Sequence, residues 1–318
     1  MSAVGTESGG AAAGAAGADA AHTMVCMEVW GGNQAIDSVV STPGLDIAVF
    51  SRPHRGDSEG GDIHYVSRCA SGRVCRLVVA DVAGHGASVG DVAVRLRDLM
   101  RRYVNYRDQR RFAQKLNSEF GGETTAGRFA TAVLASYWAP GDELSVCNAG
   151  HPPPLWRRVE TGAWTLLTAQ TAGMSPEQTA EPTNLPLGIL GEDTGYDEFT
   201  VRLSPGDLVL MYTDSLIEAR DKQGRMLGVE GLLGFARAMN AFCGVAAAVG
   251  AGGSDAARAS LGEFSRRIVA AVAAYADAEG FDDDATVLLL RHTATEPPRA
   301  TFRDWLTMVA KIIRDRRL

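Results

Sequence analysis

Ten residues, Leu77-Val-Val-Ala-Asp-Val-Ala-Gly-His-Gly86, constrain this chain more than any other stretch. Leu77 to Ala80 is apolar at every position, as in a strand covered on both faces, and it runs straight into a carboxylate, Asp81. The Gly84-His85-Gly86 turn that follows calls for a tightly folded backbone. A buried strand that delivers a carboxylate to such a turn is building a site. The rest of the chain can be read by asking which segments bring further carboxylates to it.

At 318 residues the chain is long enough for one large domain or two ordinary ones. Its 46% hydrophobic and 22% charged residues are those of a soluble globular protein. With 31 Lys+Arg against 38 Asp+Glu the net charge is -7, which disfavours nucleic acid as a partner and leaves carboxylates for metal ions. Five cysteines without Cys-x-x-Cys spacing signal neither a disulfide framework nor a zinc site. None is followed six residues later by arginine, so the thiolate chemistry of Cys-x5-Arg phosphatases is excluded, and a reducing cytoplasm is expected. Residues 1–22 are Ala/Gly-rich without a basic leader and read as a disordered tail. No run of 18 apolar residues occurs, so no transmembrane span is expected.

Short β-branched and aromatic stretches then follow one another: Met24–Trp30, Leu45–Ser51, Ile63–Ala70 and Val74–Val82 read as antiparallel strands. After Gly86 the period turns helical, with Val89, Val92, Ala93, Leu96, Leu99, Met100 and Tyr103 on one face, and a second helix is expected near Gln109–Phe120. Strands resume at Phe129–Trp138, Leu144–Asn148, Leu155–Val159, Trp164–Leu167, Tyr196–Leu203 and Leu208–Tyr212. Helices are expected over Gly231–Asn240 and Asp255–Ala278, with a loose low-complexity insertion at 241–253 between them. Phe281-Asp-Asp-Asp-Ala-Thr-Val-Leu-Leu-Leu-Arg291 feeds an acidic cluster into a final buried strand.

Four aspartates stand out by position. Asp62 and Asp283 open strands, and Asp81 and Asp214 close them. In an antiparallel arrangement the starts and ends of neighbouring strands share one edge, so all four can converge. Carboxylates held together repel and raise one another's pKa unless cations compensate them. Oxygen ligands without His or Cys suit Mg²⁺ or Mn²⁺. For any one aspartate, a turn or cap is the simpler reading.

Eight landmarks occur in order: Gly60-Gly-Asp62, Asp81-Val-Ala-Gly-His-Gly86, Phe129-Ala-Thr131, Asn148-Ala-Gly-His-Pro152, Leu185-Pro-Leu-Gly188, Pro205-Gly-Asp207, Thr213-Asp214 and Asp283-Asp-Ala-Thr286. Together they resemble the metal-dependent serine/threonine protein phosphatases, specifically their bacterial sporulation-protein-E-type branch, over about Leu45–Arg291. The resemblance implies an α+β fold: an α-β-β-α sandwich of two mainly antiparallel sheets flanked by helices, like protein phosphatase 2C. It implies a phosphatase domain over 23–294 with two Mn²⁺ or Mg²⁺ ions. Asp81 would bridge the ions and the Val82 carbonyl would add a ligand. Asp62 would serve one ion, and Asp214 and Asp283 the other. Asp283 is chosen because it stands three before Thr286. The implied reaction is hydrolysis of phosphoserine or phosphothreonine by direct attack of metal-bound hydroxide. The implied substrate is a bacterial regulatory phosphoprotein such as an anti-sigma-factor antagonist.

Departures from the family pattern are Tyr65 in place of a second aspartate and Ser215 in place of a glycine. Arg52 and Arg55 are candidates to clamp phosphate. His85, His151, Asn148 and Gly150 read as shaping turns rather than as catalysts. Two rival readings differ in class. One is a non-catalytic phosphatase-fold binding module, which the complete aspartate set opposes. The other is a serine hydrolase, since Gly86-Ala-Ser-Val-Gly90 fits Gly-x-Ser-x-Gly and Ser88, Asp214 and His292 imitate a triad, although Ser88 sits too far past its strand. The last segment, 295–318, is expected to form an amphipathic helix near Phe302–Ile313, with six Lys/Arg against two Asp from Arg299 on. It would dock on its own body, a partner or a second copy, or a membrane surface.

Overall fold

The computed structural model describes residues 22–24, 29–68, 73–84, 87–103, 106, 108–123, 128–174, 183–190, 194–240, 254–276 and 281–296. Residues 1–21 of the expected tail, the insertion at 241–253, the C-terminal helix, and His85 and Gly86 lie outside the described residues.

Two sheets face each other. One has the order β11-β8-β7-β6-β5-β2, with β2 at Val29–Gly32, β5 at Asp62–Arg68, β6 at Val74–Val82, β7 at Ala130–Trp138, β8 at Glu143–Ala149 and β11 at Glu198–Arg202. The other has the order β1-β3-β4-β13-β12-β9-β10, with β1 at His22–Thr23, β3 at Ile36–Thr42, β4 at Leu45–Arg52, β9 at Leu155–Arg157, β10 at Trp164–Leu166, β12 at Leu208–Tyr212 and β13 at Ala285–His292. Every pairing is antiparallel except the two-residue contact of β1 with β3. Helices α1 (Ala87–Tyr103) and α2 (Gln109–Glu123) cover the outer face of the six-stranded sheet. Helices α3 (Ser215–Glu218), α4 (Gly228–Ala238) and α5 (Asp255–Ala276) lie on the outer side of the seven-stranded one. The expected α-β-β-α sandwich is the fold observed.

Strand alternation explains why Leu77–Ala80 has no polar position. Leu77 and Val79 enter the core between the sheets, while Val78, Ala80 and Val82 pack under α1 and α2. Leu96, Leu116 and Phe120 close that second layer, each contributing roughly 1.5–3 kcal/mol of apolar burial. The inter-sheet core is continued by Ile47, Val49, Val133, Met211 and Leu288.

Strand β1, whose His22 was expected to belong to the disordered tail, pairs with β3 and was not expected, and two further elements were not expected either. Strand β3, Ile36-Asp-Ser-Val-Val-Ser-Thr42, carries too many polar residues to announce itself, and is held by pairing with β4 along all seven residues. Helix α3 has only four residues, too few for a periodic signal. Strand β13 begins at Ala285, so Asp283 stands in the turn before it rather than on it.

Two of the glycine turns meet. Gly150 has φ +69°, and a Cβ placed on it would fall 2.4 Å from Pro186 of the Leu185-Pro-Leu-Gly188 turn. That turn is anchored by two hydrogen bonds between Leu187 and Ala130, at 2.9 and 2.7 Å. Gly150→Ala therefore combines a left-handed backbone penalty with a clash. It is expected to lower stability by about 1–3 kcal/mol, read as a fall in urea midpoint at unchanged m-value.

Candidate metal centre

At one end of the sandwich the inward-facing rows turn polar. Along β4, Ile47 and Val49 give way to Ser51; along β13, Leu290 and Leu288 to Thr286; along β12, Val209 and Met211 to Thr213, one residue past its end. Across the core, Leu77 and Val79 of β6 lead to Asp81, Ala135 and Val133 of β7 to Thr131, and Val66 of β5 to Asp62. Buried polar groups need partners. Ser51 and Thr286 supply each other's at 2.9 Å, and the Thr213 hydroxyl accepts from Thr286 N at 2.9 Å.

Asp62 and Asp81 are register partners in neighbouring antiparallel strands. Such side chains share a face with Cβ atoms about 4.5–5.5 Å apart, and like charges there destabilise. Burial first, then the Asp81 carboxylate, pushes the Asp62 carboxyl well above the usual range, against the opposing hydrogen bond from Thr213. That bond, Thr213 Oγ1 to Asp62 Oδ2 at 2.8 Å, crosses from one sheet to the other. Asp81 is pushed up to about 8 by burial and then by Asp214, Asp283, Asp284 and Glu218. Asp214 is raised to about 6 by burial, Glu218 and Asp283. None of the leading influences on these three carboxyls is a Lys or Arg.

The four aspartates read from the sequence therefore share one end of the sandwich. Asp214 occupies the cap position of α3, yet its side chain makes no capping hydrogen bond, so the simple capping role does not account for it. Asp283 is half-buried and its Oδ1 accepts from Asp284 N at 2.8 Å. The Val82 carbonyl lies against Gly61, where an added Cβ would approach it to 3.0 Å. Two further acidic residues stand here, Glu218 unread in the sequence and Asp284 set aside in favour of Asp283. Glu218 lies one helical turn after Asp214, invisible without α3. Asp284 is 4% exposed, with both carboxylate oxygens hydrogen-bonded to the backbone of the 54–61 segment.

The motif histidine that is described is a tie between sheets. His151 Nε2 meets the Tyr212 carbonyl at 2.9 Å and Nδ1 meets Thr131 Oγ1 at 2.7 Å. A carbonyl only accepts, so Nε2 carries the proton and Nδ1 accepts from the threonine. Burial depresses its pKa to about 4, keeping it neutral. Asn148 clasps the same turn twice, accepting from His151 N and donating to His151 O, each at 2.8 Å.

Other candidates separate from the site. Ser51 faces the inter-sheet core, so alternation turns the exposed Arg52 to the opposite face, away from where a phosphate clamp would be needed; the Arg55 side chain lies outside the described residues. Tyr65 packs in the layer under α1 and α2, where it offers nothing to an ion between the sheets. Ser215 is buried in α3. His292 hydrogen-bonds to Tyr137 and Asp142 at the far end of the eight-residue β13, roughly 23 Å from the Asp214 end at the usual rise of a strand. Ser88, Asp214 and His292 therefore form no triad.

The donor set fits hard divalent cations in kind: crowded oxygen ligands, with Asp62 buried and Asp81, Asp214 and Asp283 half-buried. Among the described residues, no three His, Cys, Asp or Glu side chains stand close enough to grip an ion as they are placed. The fit is one of chemistry and location.

The fold is shared with known phosphatases. A structure of the PP2C phosphatase domain and a regulatory fragment of the cell fate determinant SpoIIE from Bacillus subtilis matches 79% of this chain and 64% of its own, with TM-score 0.59 and 16% identity. RsbX in complex with magnesium matches 81% of this chain and all of its own, with TM-score 0.53 and 15% identity. At these identities the likeness establishes a PP2C-type fold. The sequence profile of the Stage II sporulation protein E (SpoIIE) family matches residues 71–293, and the chain belongs to that family. The phosphoserine phosphatase RsbP of Bacillus subtilis (strain 168) is 24% identical over 147 residues, 45% of this chain and 33% of RsbP, so the match spans about a third of that relative.

Asp81 and Asp214 bind their protons more tightly in the folded chain than in the unfolded one, where the value is near 3.8. Their contribution to stability is therefore fullest below about pH 3.8 and is lost as pH rises through about 6 and about 8. In chelator, the melting temperature is expected to fall as pH rises over that window, and added Mn²⁺ to remove the slope. Thermal unfolding across pH, with and without Mn²⁺, checks both; a metal-free profile flat over the window contradicts the electrostatics.

Proposed function

We propose that the chain is a metal-dependent protein serine/threonine phosphatase. Its own observation in support is the facing pair Asp62 and Asp81, joined at the same end of the sandwich by Asp214 and Asp283, whose charges add to the field on Asp81. The reading is supported further by membership of the SpoIIE family and by the partial likeness to RsbP.

In this reading Asp81, Asp62, Asp214 and Asp283 with the Val82 carbonyl would hold two Mn²⁺ or Mg²⁺ ions, Asp81 being the carboxylate they would share. Such a pair lowers the pKa of bound water and stabilises charge on the oxygens of an in-line displacement at phosphorus. The chain's part is to hold the ligands. Thr213 orients Asp62 by donating to its Oδ2. His151 fixes the spacing between Thr131, beside Asp81 in register, and Tyr212, two residues before Asp214. Being neutral and using both ring nitrogens, it has no proton to spare for a leaving group. The substrate would be a phosphoserine or phosphothreonine of a regulatory phosphoprotein, with an anti-sigma-factor antagonist as the partner implied by the family. Among the described residues no helix is long and apolar enough to cross a membrane.

Asp81→Asn keeps the shape and removes the shared charge. It is expected to bring Mn²⁺-dependent hydrolysis of p-nitrophenyl phosphate and of a phosphoserine peptide down to the no-enzyme background, and EDTA is expected to do the same to the unaltered chain. Near-normal turnover in Asp81→Asn sinks the assignment. Mn²⁺ binding by calorimetry without turnover on any phosphoester would instead favour a binding module.

A further inference from the structure

Asp284 is buried one residue beyond Asp283, and both of its oxygens are already taken. Oδ1 accepts from His54 N at 2.6 Å and Oδ2 from Gly61 N at 2.5 Å. The carboxylate fills the space beside Gly60 so fully that a Cβ there would stand 2.5 Å from it. The same stretch of backbone is held from other sides. Gly60 N donates to Asn33 O at 2.8 Å, Asn33 Nδ2 returns a bond to Gly60 O at 3.1 Å, and Val82 N donates to Gly61 O at 3.3 Å. The next residue is Asp62.

We infer that Asp284 is a positioning residue for the metal centre: its carboxylate bolts the Gly60-Gly61 backbone to the start of β13 and so sets where Asp62 stands relative to Asp81. Asp284 arrives with the seven-stranded sheet and Gly61 with the six-stranded one, so the bolt crosses the sandwich as the Thr213 to Asp62 bond does. The chemistry requires a carboxylate. An ionised Asp offers acceptors to two separate N–H groups, and such charge-assisted bonds are roughly twice as strong as neutral ones. An asparagine in the same place would turn an NH₂ toward one of the two donors. Gly60 is the counterpart on the loop side, since a Cβ there would stand 2.5 Å from the carboxylate. Groups that hold metal ligands in place typically govern affinity by about 10–100-fold.

The bolt itself is a feature of the metal-free chain; only its consequence for ions rests on the phosphatase reading. The test compares the full chain with Asp284→Asn, Gly60→Ala and the double variant. In metal-free protein, Asp284→Asn is expected to speed amide exchange across residues 54–61 while leaving β12 and β13 protected. Its Mn²⁺ affinity by calorimetry is expected to fall about tenfold or more. Gly60→Ala, with its carboxylate intact, is expected to do the same, and the double variant to be no worse than the poorer single one. Unaltered exchange at 54–61 in Asp284→Asn overturns the inference. So does a loss of Mn²⁺ affinity in Asp284→Asn that Gly60→Ala does not share, because Asp284 would then be an ion's own ligand. Should the unaltered chain bind no Mn²⁺, the phosphatase reading fails and the exchange measurement still decides the bolt.

Discussion

The structure depends on a repulsion. Asp62 and Asp81 lie opposite each other in adjacent strands, Asp62 buried and Asp81 half-buried, with Asp214, Asp283, Asp284 and Glu218 adding to the same negative field. Nothing in β5 or β6 as strands calls for that pairing, and like charges directly opposite destabilise a sheet. Two carboxylates held face to face persist only because the rest of the sandwich determines their positions, which is how strain is kept at functional sites. In the metal-free chain the opposition raises the proton affinity of both carboxylates, and in the proposed working one cations would relieve it.

Holding such a pair needs ties between layers that would otherwise only be packed. Three lie around it: Thr213 to Asp62, His151 to Thr131 and Tyr212 O, and Asp284 to Gly61 N. Each joins an element of one sheet to an element of the other. Apolar packing between sheets resists separation but is non-directional and tolerates sliding. Hydrogen bonds of defined length fix the register of one sheet against the other at the end where it matters. The glycine turns serve the same purpose by allowing close approach, Gly150 onto Pro186 and Gly60 onto Asp284.

Much of this was legible in the residues. Apolar runs such as Leu77–Ala80 and Leu208–Tyr212 are strands because both faces are covered, and the Val89-to-Tyr103 periodicity became α1. The aspartates were legible because a carboxylate at the end of an apolar strand is costly and conspicuous. Strand β3, helix α3 and Glu218 were not, since β3 is defined by its partner and α3 is too short to show a period. Asp284 was passed over because the spacing to Thr286 picked out Asp283, and spacing carries no sign of its bonds to a loop more than two hundred residues earlier in the chain.

What the sequence determined by itself, then, was which strands are buried, which of them end in carboxylates, and which turns require glycine. These follow from local periodicity and from the cost of burying charge. Only the tertiary structure decided that Asp62 faces Asp81, that Arg52 faces away, that His292 is at the far end, and that Asp284 grips Gly61. Those outcomes follow from register: moving a strand by one residue sends every side chain to the other face, and no single strand carries the information about its neighbour's phase.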